Sequence, residues 1–267
     1  MFLEQTPIEQ YWVAGTPVHV KRDDLYGSPP APPLGKLRGL RLLLGRLYED
    51  GARLVGCWDT RVSKLGQGLA ACCTEFPGLR CIVSYPARNG ESAPEPVQAA
   101  ERLGAMIHPV PATRLTICFA RARAFVTEAG GLMLPFGLEC SEAVEAVRRE
   151  ASRVPPDVVV GGTIILSCGS GVTLAGVIKG LQTLPARIVG LSAGRSLASI
   201  RSCVQRYVKQ VPSCLELRPP TLPYSKSPTN VSAPFPCHPS YDLKAWALLT
   251  QSIEKFAKPI LFWNIGA

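Results

Sequence analysis

No stretch of this sequence is apolar for long enough to cross a bilayer, and its opening Met1-Phe2-Leu3-Glu4-Gln5 has neither the basic nor the apolar region of a secretion signal. A membrane-spanning or exported protein is therefore not expected, and a reducing cytoplasm is. Ten cysteines occur, yet no two stand as Cys-x-x-Cys, so neither a zinc site nor a disulfide framework is indicated. The three histidines, His19, His108 and His238, fall in two strand-like segments and one proline-rich loop, which reads as structural and leaves no metal cluster. No Gly-Lys-Ser/Thr closes a P-loop, and no Gly-x-Ser-x-Gly elbow marks a hydrolase. Internal repeats and low-complexity tracts are missing as well. Acidic residues are scarce, 20 against 29 Lys and Arg, and the resulting charge of +9 favours an anionic partner such as nucleic acid or a phosphorylated ligand.

What remains is a chain of 267 residues, nearly half of them hydrophobic, which can bury a sizeable core as one large domain or two interlocked ones. Pro17-Val18-His19-Val20 reads as a strand ending in a charged turn, Lys21 to Asp24. Strands are predicted at 53–58, 79–85, 105–110 and 131–135, separated by helices at 66–75, 94–103 and 116–129. A second series follows: a helix over 141–153, a strand at Asp157-Val158-Val159-Val160, a helix over 173–181, a strand over 187–192 and a helix over 196–210. Residues 211–239 are proline-dense and read as a long loop, before a helix over 242–256 and a strand over 259–264. Strands separated by helices of this length argue for parallel βαβ units in an α/β fold.

Two local features carry chemistry. Four prolines between Ser28 and Leu34 fix φ and withhold donors, so they hold Lys36 stiffly at the mouth of a helix predicted from about Gly35 to Tyr48. A lysine in a first helical turn is out of place, because the dipole disfavours an ammonium there, and that suits an amine that reacts as a nucleophile. The second feature is Cys168-Gly169-Ser170-Gly171-Val172-Thr173, which follows an apolar strand and opens a helix. Its glycines let the backbone approach an anion, its N–H groups and the Ser170 and Thr173 hydroxyls point at it, and the helix N-terminus favours negative charge.

Together with Val20-Lys21-Arg22-Asp23-Asp24-Leu25, Gly35-Lys36-Leu37-Arg38, Pro135-Phe136-Gly137, Tyr241-Asp242-Leu243-Lys244 and Ile260-Leu261-Phe262-Trp263, these features resemble the fold-type II pyridoxal-phosphate enzymes. The resemblance is to the branch of 1-aminocyclopropane-1-carboxylate deaminase and D-cysteine desulfhydrase, and it spans nearly the whole chain with the motifs in family order. It implies two domains, each with a mostly parallel sheet flanked by helices: residues 1–45 and 141–267 as the larger, cofactor-binding domain, and 46–140 as a smaller inserted one. It implies that Lys36 holds pyridoxal 5'-phosphate covalently and later moves the proton at the substrate α-carbon. Gly169, Ser170, Gly171, Val172 and Thr173 would hold the phosphate, Asp242 would face the pyridine nitrogen, and Tyr241 would act beside it as an acid, base or stacking group.

The sequence departs from that family in two places. Where the family carries Ser-Asn-His or Gly-Asn-His, this chain reads Asp59-Thr60-Arg61-Val62-Ser63-Lys64, so Arg61 or Lys64 takes the place of the asparagine and, with Thr60 and Ser63, is expected to contact substrate. Where the family has Thr-Gly-Gly, Trp263-Asn264-Ile265-Gly266-Ala267 leaves Asn264 as the polar group. With Pro-Pro-Leu-Gly-Lys-Leu-Arg-Gly and Trp-Asp-Thr-Arg-Val-Ser-Lys, these departures resemble compact members encoded by tailed bacteriophages and linked to thymidine hypermodification. That resemblance implies an isomerase rearranging amino-acid-modified, glycinyl-type thymidine in phage DNA. Two alternatives stand beside it: a deaminase or lyase acting on a small free amino acid, and a non-catalytic binding protein that keeps the fold. The expected partners are modified thymidine in DNA or a small amino acid, without metal or membrane, and a homodimer is among the expected assemblies. Arg201, Arg206 and Lys209 fall within one broad helix arc, and Arg38, Arg41 and Arg46 form a second cluster. Either could track phosphates, or be a solvated helix face.

Overall fold

A computed structural model describes residues 2–267. The chain forms two compact units: residues up to Ser28 with Pro33–Gly39 and Glu139–Ala267, and Pro29–Pro32 with Leu40–Leu138. The first holds a six-stranded sheet in the order β1(Ile8–Val13), β2(Thr16–Arg22), β10(Ile260–Asn264), β7(Thr163–Cys168), β8(Arg187–Ser192), β9(Leu215–Arg218). Only the β1–β2 hairpin is antiparallel. The second holds a four-stranded parallel sheet, β5(Met106–Pro111), β4(Arg80–Ala87), β3(Leu54–Trp58), β6(Leu132–Met133). This is the α/β class that the alternating pattern predicts, with the two mostly parallel sheets that the family resemblance implies.

In the first unit the pleat sorts the side chains. Val18, Val20, Ile165, Val189, Ile260 and Phe262 pack with Phe235 and with Trp246 and Leu249 of α8(Asp242–Gln251). Their neighbours along the strands point to the other face, where α5(Ser141–Ala151) and α6(Val172–Gly180) lie together. Those helices meet closely because Gly176 and Gly180, one turn apart, offer no Cβ: one built on Gly176 would sit 2.5 Å from Val147 Cβ. In the second unit β3, buried throughout, packs on α4(Leu115–Glu128) through Gly56 and Val126. The helices α2(Leu65–Cys73) and α3(Glu95–Arg102) connect its strands.

Several sequence expectations change. Lys36 stands immediately before α1(Leu37–Glu49), not inside its first turn. Lys21 and Arg22 belong to β2, and the turn is a short 3-10 segment, Asp23–Leu25. Asp157-Val158-Val159-Val160 is not a strand: Pro155 and Pro156 start a 3-10 turn over Pro156–Val158, and the strand is β7, six residues on. The proline-dense loop contains β9, and α7(Leu197–Tyr207) ends before Val208, which leaves Lys209 outside its helical arc. Hairpin strand β1 is an addition that the sequence pattern did not show.

Candidate active site

The candidate side chains of the first unit gather where its parallel strands end. β7 stops at Cys168, and Gly169, Ser170 and Gly171 turn the chain into α6. Gly171 caps the helix at φ 102°, a left-handed conformation that glycine adopts without penalty, and a Cβ there would meet Ile200 O at 3.1 Å. Ser170 and Thr173 are buried, as is Val172. β10 stops at Asn264, and the next residues pair with the segment before α1: Gly35 N donates to Ile265 O at 2.7 Å, and Ala267 N to Pro33 O at 3.0 Å. That pairing sets Lys36 beside the glycine turn. A Cβ built on Gly169 would lie 3.7 Å from Lys36 Nζ and 3.6 Å from Tyr241 Cε1, so the bare backbone of Gly169 leaves a space that the amine and the phenol ring both face.

A buried polar cluster lies against the segment that carries Lys36. Asp23 accepts hydrogen bonds from Trp263 Nε1 at 2.7 Å, Arg38 Nη2 at 2.9 Å and Thr6 Oγ1 at 2.6 Å. Lys21 pairs with Glu150, which Arg38 also approaches at 3.4 Å. Gly35 packs directly on this cluster, a Cβ there falling 2.8 Å from Asp23 Cβ. Arg38 is therefore part of the interior, not of a basic surface.

Asp242 opens α8 and is almost wholly buried. Ser167 Oγ donates to its Oδ1 at 2.8 Å and Ile265 N to the same oxygen at 3.2 Å. Burial pushes the carboxyl up to about 7, against the pull of these neutral donors. Tyr241 hydrogen-bonds Tyr224 through the two hydroxyls, the rings meeting edge to face at 5.4 Å. His238 lies against Tyr241 with ring centroids 4.9 Å apart, and its Nδ1 accepts from Ser240 N at 3.2 Å, a structural role. Asn264 is tied to the proline-rich loop, donating to Pro236 O at 2.8 Å.

The loop after β3 belongs to the second unit. Buried Asp59 organises it, accepting from Thr60 N at 2.8 Å and Gly66 N at 2.5 Å. Thr60 Oγ1 accepts from Ser63 N, and Ser63 Oγ from Leu65 N, so both hydroxyls serve the turn into α2. Arg61 and Lys64 separate here: Arg61 makes an ion pair with Glu91 at 2.8 Å, whereas Lys64 caps α2 and burial lowers the proton affinity of its amine.

A family model described as pyridoxal-phosphate dependent enzyme matches residues 5–223. The chain belongs to the pyridoxal-phosphate dependent enzymes. Over an alignment of 281 positions covering all of both chains it is 31% identical to a protein of Pseudomonas phage M6 called glycyl-dTMP PLP-dependent decarboxylase. Among solved structures, an ACC deaminase homologue superposes with a TM-score of 0.81 at 20% identity, over 99% of this chain and 90% of that one. Threonine deaminase isoform 2 of Solanum lycopersicum gives 0.70 at 14%, over 98% and 79%. These two likenesses establish the fold.

Pyridoxal 5'-phosphate is the cofactor of this family, and the site fits it. The space in front of Lys36 exists because Gly169 has no Cβ, and the buried Asp242 carboxyl accepts from the neutral donors Ser167 Oγ and Ile265 N, which suits a protonated ring nitrogen as its charged partner. Among the described residues no group of His, Cys, Asp or Glu could hold a metal, and no helix is long and apolar enough to cross a membrane. Sequence reasoning missed Tyr224 and Ser167. Tyr224 sits in a loop without periodicity, and Ser167 inside an apolar strand, where a hydroxyl next to the glycine turn was the available signal.

Proposed function

We propose that this enzyme decarboxylates a glycyl-bearing thymidine nucleotide within DNA. The observation that carries the reading is the end-to-end similarity to the phage decarboxylase, whose named substrate is glycyl-dTMP. The charge of +9 agrees with a polyanionic substrate. Decarboxylation and the isomerase chemistry implied by the phage resemblance share a bond broken at the α-carbon, and they are separated by their products.

Pyridoxal phosphate supplies an electron sink for the bond broken at the α-carbon. The residues supply the rest. Gly169, Ser170, Gly171, Val172 and Thr173 hold the phosphate with backbone N–H groups, two hydroxyls and the start of α6. Asp242, as a carboxylate, keeps a proton on the ring nitrogen. Lys36 would anchor the cofactor, and its amine, which faces the space at Gly169, would deliver a proton to the substrate α-carbon. Tyr241, oriented by Tyr224, serves that carbon as a second proton donor or orients the leaving carboxylate. In the second unit, Arg61 holds the loop of Thr60, Ser63 and Lys64 through its ion pair with Glu91.

The chemistry that pyridoxal phosphate would supply needs a primary amine on the substrate. The glycyl unit must therefore be joined to the thymine methylene through its α-carbon, leaving its nitrogen free. The balanced reaction is R–CH2–CH(NH3+)–CO2− plus H+ giving R–CH2–CH2–NH3+ plus CO2. An oligonucleotide carrying this group, incubated with enzyme in D2O, is expected to lose the mass of CO2 and gain one deuterium at the former α-carbon. A rearranged product that keeps its carboxylate carbon would establish isomerisation instead. Keto acid with ammonia or sulfide from free amino acids would establish a deaminase or lyase.

A further inference from the structure

The charge of this chain is unevenly placed. From Val158 to Tyr241 there is one acidic residue, Glu216, against eight basic ones: Lys179, Arg187, Arg195, Arg201, Arg206, Lys209, Arg218 and Lys226. Those 84 positions hold +7 of the net +9. Glu216 is itself consumed, paired with Arg187 and, at 2.6 Å, with Arg218. The segment is also the one that supplies the glycine turn, Tyr224 and Tyr241.

α7 connects the charge to the site. Its buried side, Ile200, Cys203 and Val204, packs inward, and Ile200 O and Cys203 Cβ lie 3.1 Å and 3.4 Å from a Cβ built on Gly171. The opposite side exposes Arg201, Ser202, Gln205 and Arg206. Arg201 and Arg206, five residues apart, are about 7.5 Å apart along the axis and about 140° apart around it, within the exposed half of the helix. Glu139 draws on Arg195 and on Arg206, the latter at 3.3 Å, whereas Arg201, Lys209 and Lys226 are exposed and have no acidic partner among the described residues. The loop bearing Lys226 is held near the start of α7, where Tyr224 packs on Gly194, and on α8, where Lys244 Nζ donates to Pro223 O at 2.8 Å.

We propose that the outer side of α7, with Lys209 and the loop at Lys226, is the surface on which the phosphate backbone of DNA docks, bringing a thymidine to the glycine turn of the same unit. This rests on the DNA-linked substrate proposed above and adds where the polymer is held. Hydroxyl and amide side chains, Ser202 and Gln205, lie between the cations, the mixture that tracks phosphates without reading sequence.

The test uses holoenzyme and a fluorescein-labelled 20-bp duplex of ordinary sequence, with anisotropy followed across a salt series. The triple variant Arg201→Ala/Lys209→Ala/Lys226→Ala is expected to bind at least tenfold more weakly and to lose about 3 from the slope of log K against log salt, near one per phosphate contact. Its cofactor absorbance and its turnover of the glycyl-bearing mononucleotide are expected to match wild type, since none of the three touches the site. Unchanged affinity and slope in the variant would overturn the surface, as would wild-type protein that turns over the mononucleotide and binds no duplex. Tighter binding to vesicles of anionic phospholipid than to duplex, lost in the same variant, would reassign the surface to a membrane. Duplex binding lost in the variant, with no turnover by wild type of either nucleotide form, would keep the surface and reject the proposed reaction.

Discussion

Ser167 Oγ and Asp242 Oδ1 stand 2.8 Å apart in the interior, and this hydrogen bond, with those from the Ile265 and Gly266 backbone, favours a carboxylate that burial would otherwise keep protonated. A donor to the charged form lowers proton affinity, so removing it raises that affinity. Ser167→Ala is therefore expected to move the acidic limb of the kcat profile to higher pH, with a severalfold larger loss at pH 6 than at pH 8.5. A uniform loss across pH would show that Ser167 only packs.

Asp242 also sets the pH dependence of the cofactor-free protein. Its carboxyl sits at about 7 when folded, against 3.8 as its ordinary value. A raised carboxyl favours folding below its unfolded value, and that stability is lost as pH rises toward the folded one. Urea titration of the cofactor-free protein is expected to show a loss on the order of 3 kcal/mol from this group between pH 5 and pH 8. Asp242→Asn, which keeps an oxygen for Ser167, removes that part of the slope. Parallel pH dependence in both proteins would contradict the account.

Two glycines of one turn are expected to fail differently. A methyl at Gly169 finds ordinary contact distances to Lys36 and Tyr241, so Gly169→Ala should fold with little change in thermal midpoint yet bind cofactor at least tenfold more weakly, because the methyl fills the space in front of the amine. At Gly171 the backbone is left-handed and Ile200 O is 3.1 Å from the added Cβ, so Gly171→Ala should cost about 1–3 kcal/mol of stability. Unweakened cofactor binding in Gly169→Ala would count against the placement.

The phenols of Tyr224 and Tyr241 share one hydrogen bond and are expected to act as one unit. Tyr241→Phe and Tyr224→Phe should each lower kcat, and the double variant should be no worse than Tyr241→Phe alone. Additive losses would show two separate roles.

The fold class was legible because buried parallel strands and amphipathic helices alternate in period, and the glycine turn because Gly169 to Thr173 obeys local rules of chain reversal. Edge strand β1 was not, since its Ile8-Glu9-Gln10-Tyr11-Trp12-Val13 lacks clean alternation and Trp12 is exposed. The valines at 158–160 read as a strand, yet the prolines before them start a turn. Residues that complete the site act across long separations: Trp263 reaches Asp23 across 240 positions, and Tyr224 meets Gly194 from a loop without pattern. Nor did the sequence distinguish Arg61 from Lys64, which only the ion pair to Glu91 separates.

The central claim is that Lys36 carries the cofactor in the space left by Gly169. Purified holoenzyme reduced with borohydride, digested and analysed by mass spectrometry is expected to show the cofactor's added mass on the peptide containing Lys36, and Lys36→Ala, treated identically, to show none. The same added mass on another lysine, or none on wild type supplied with cofactor, would contradict it.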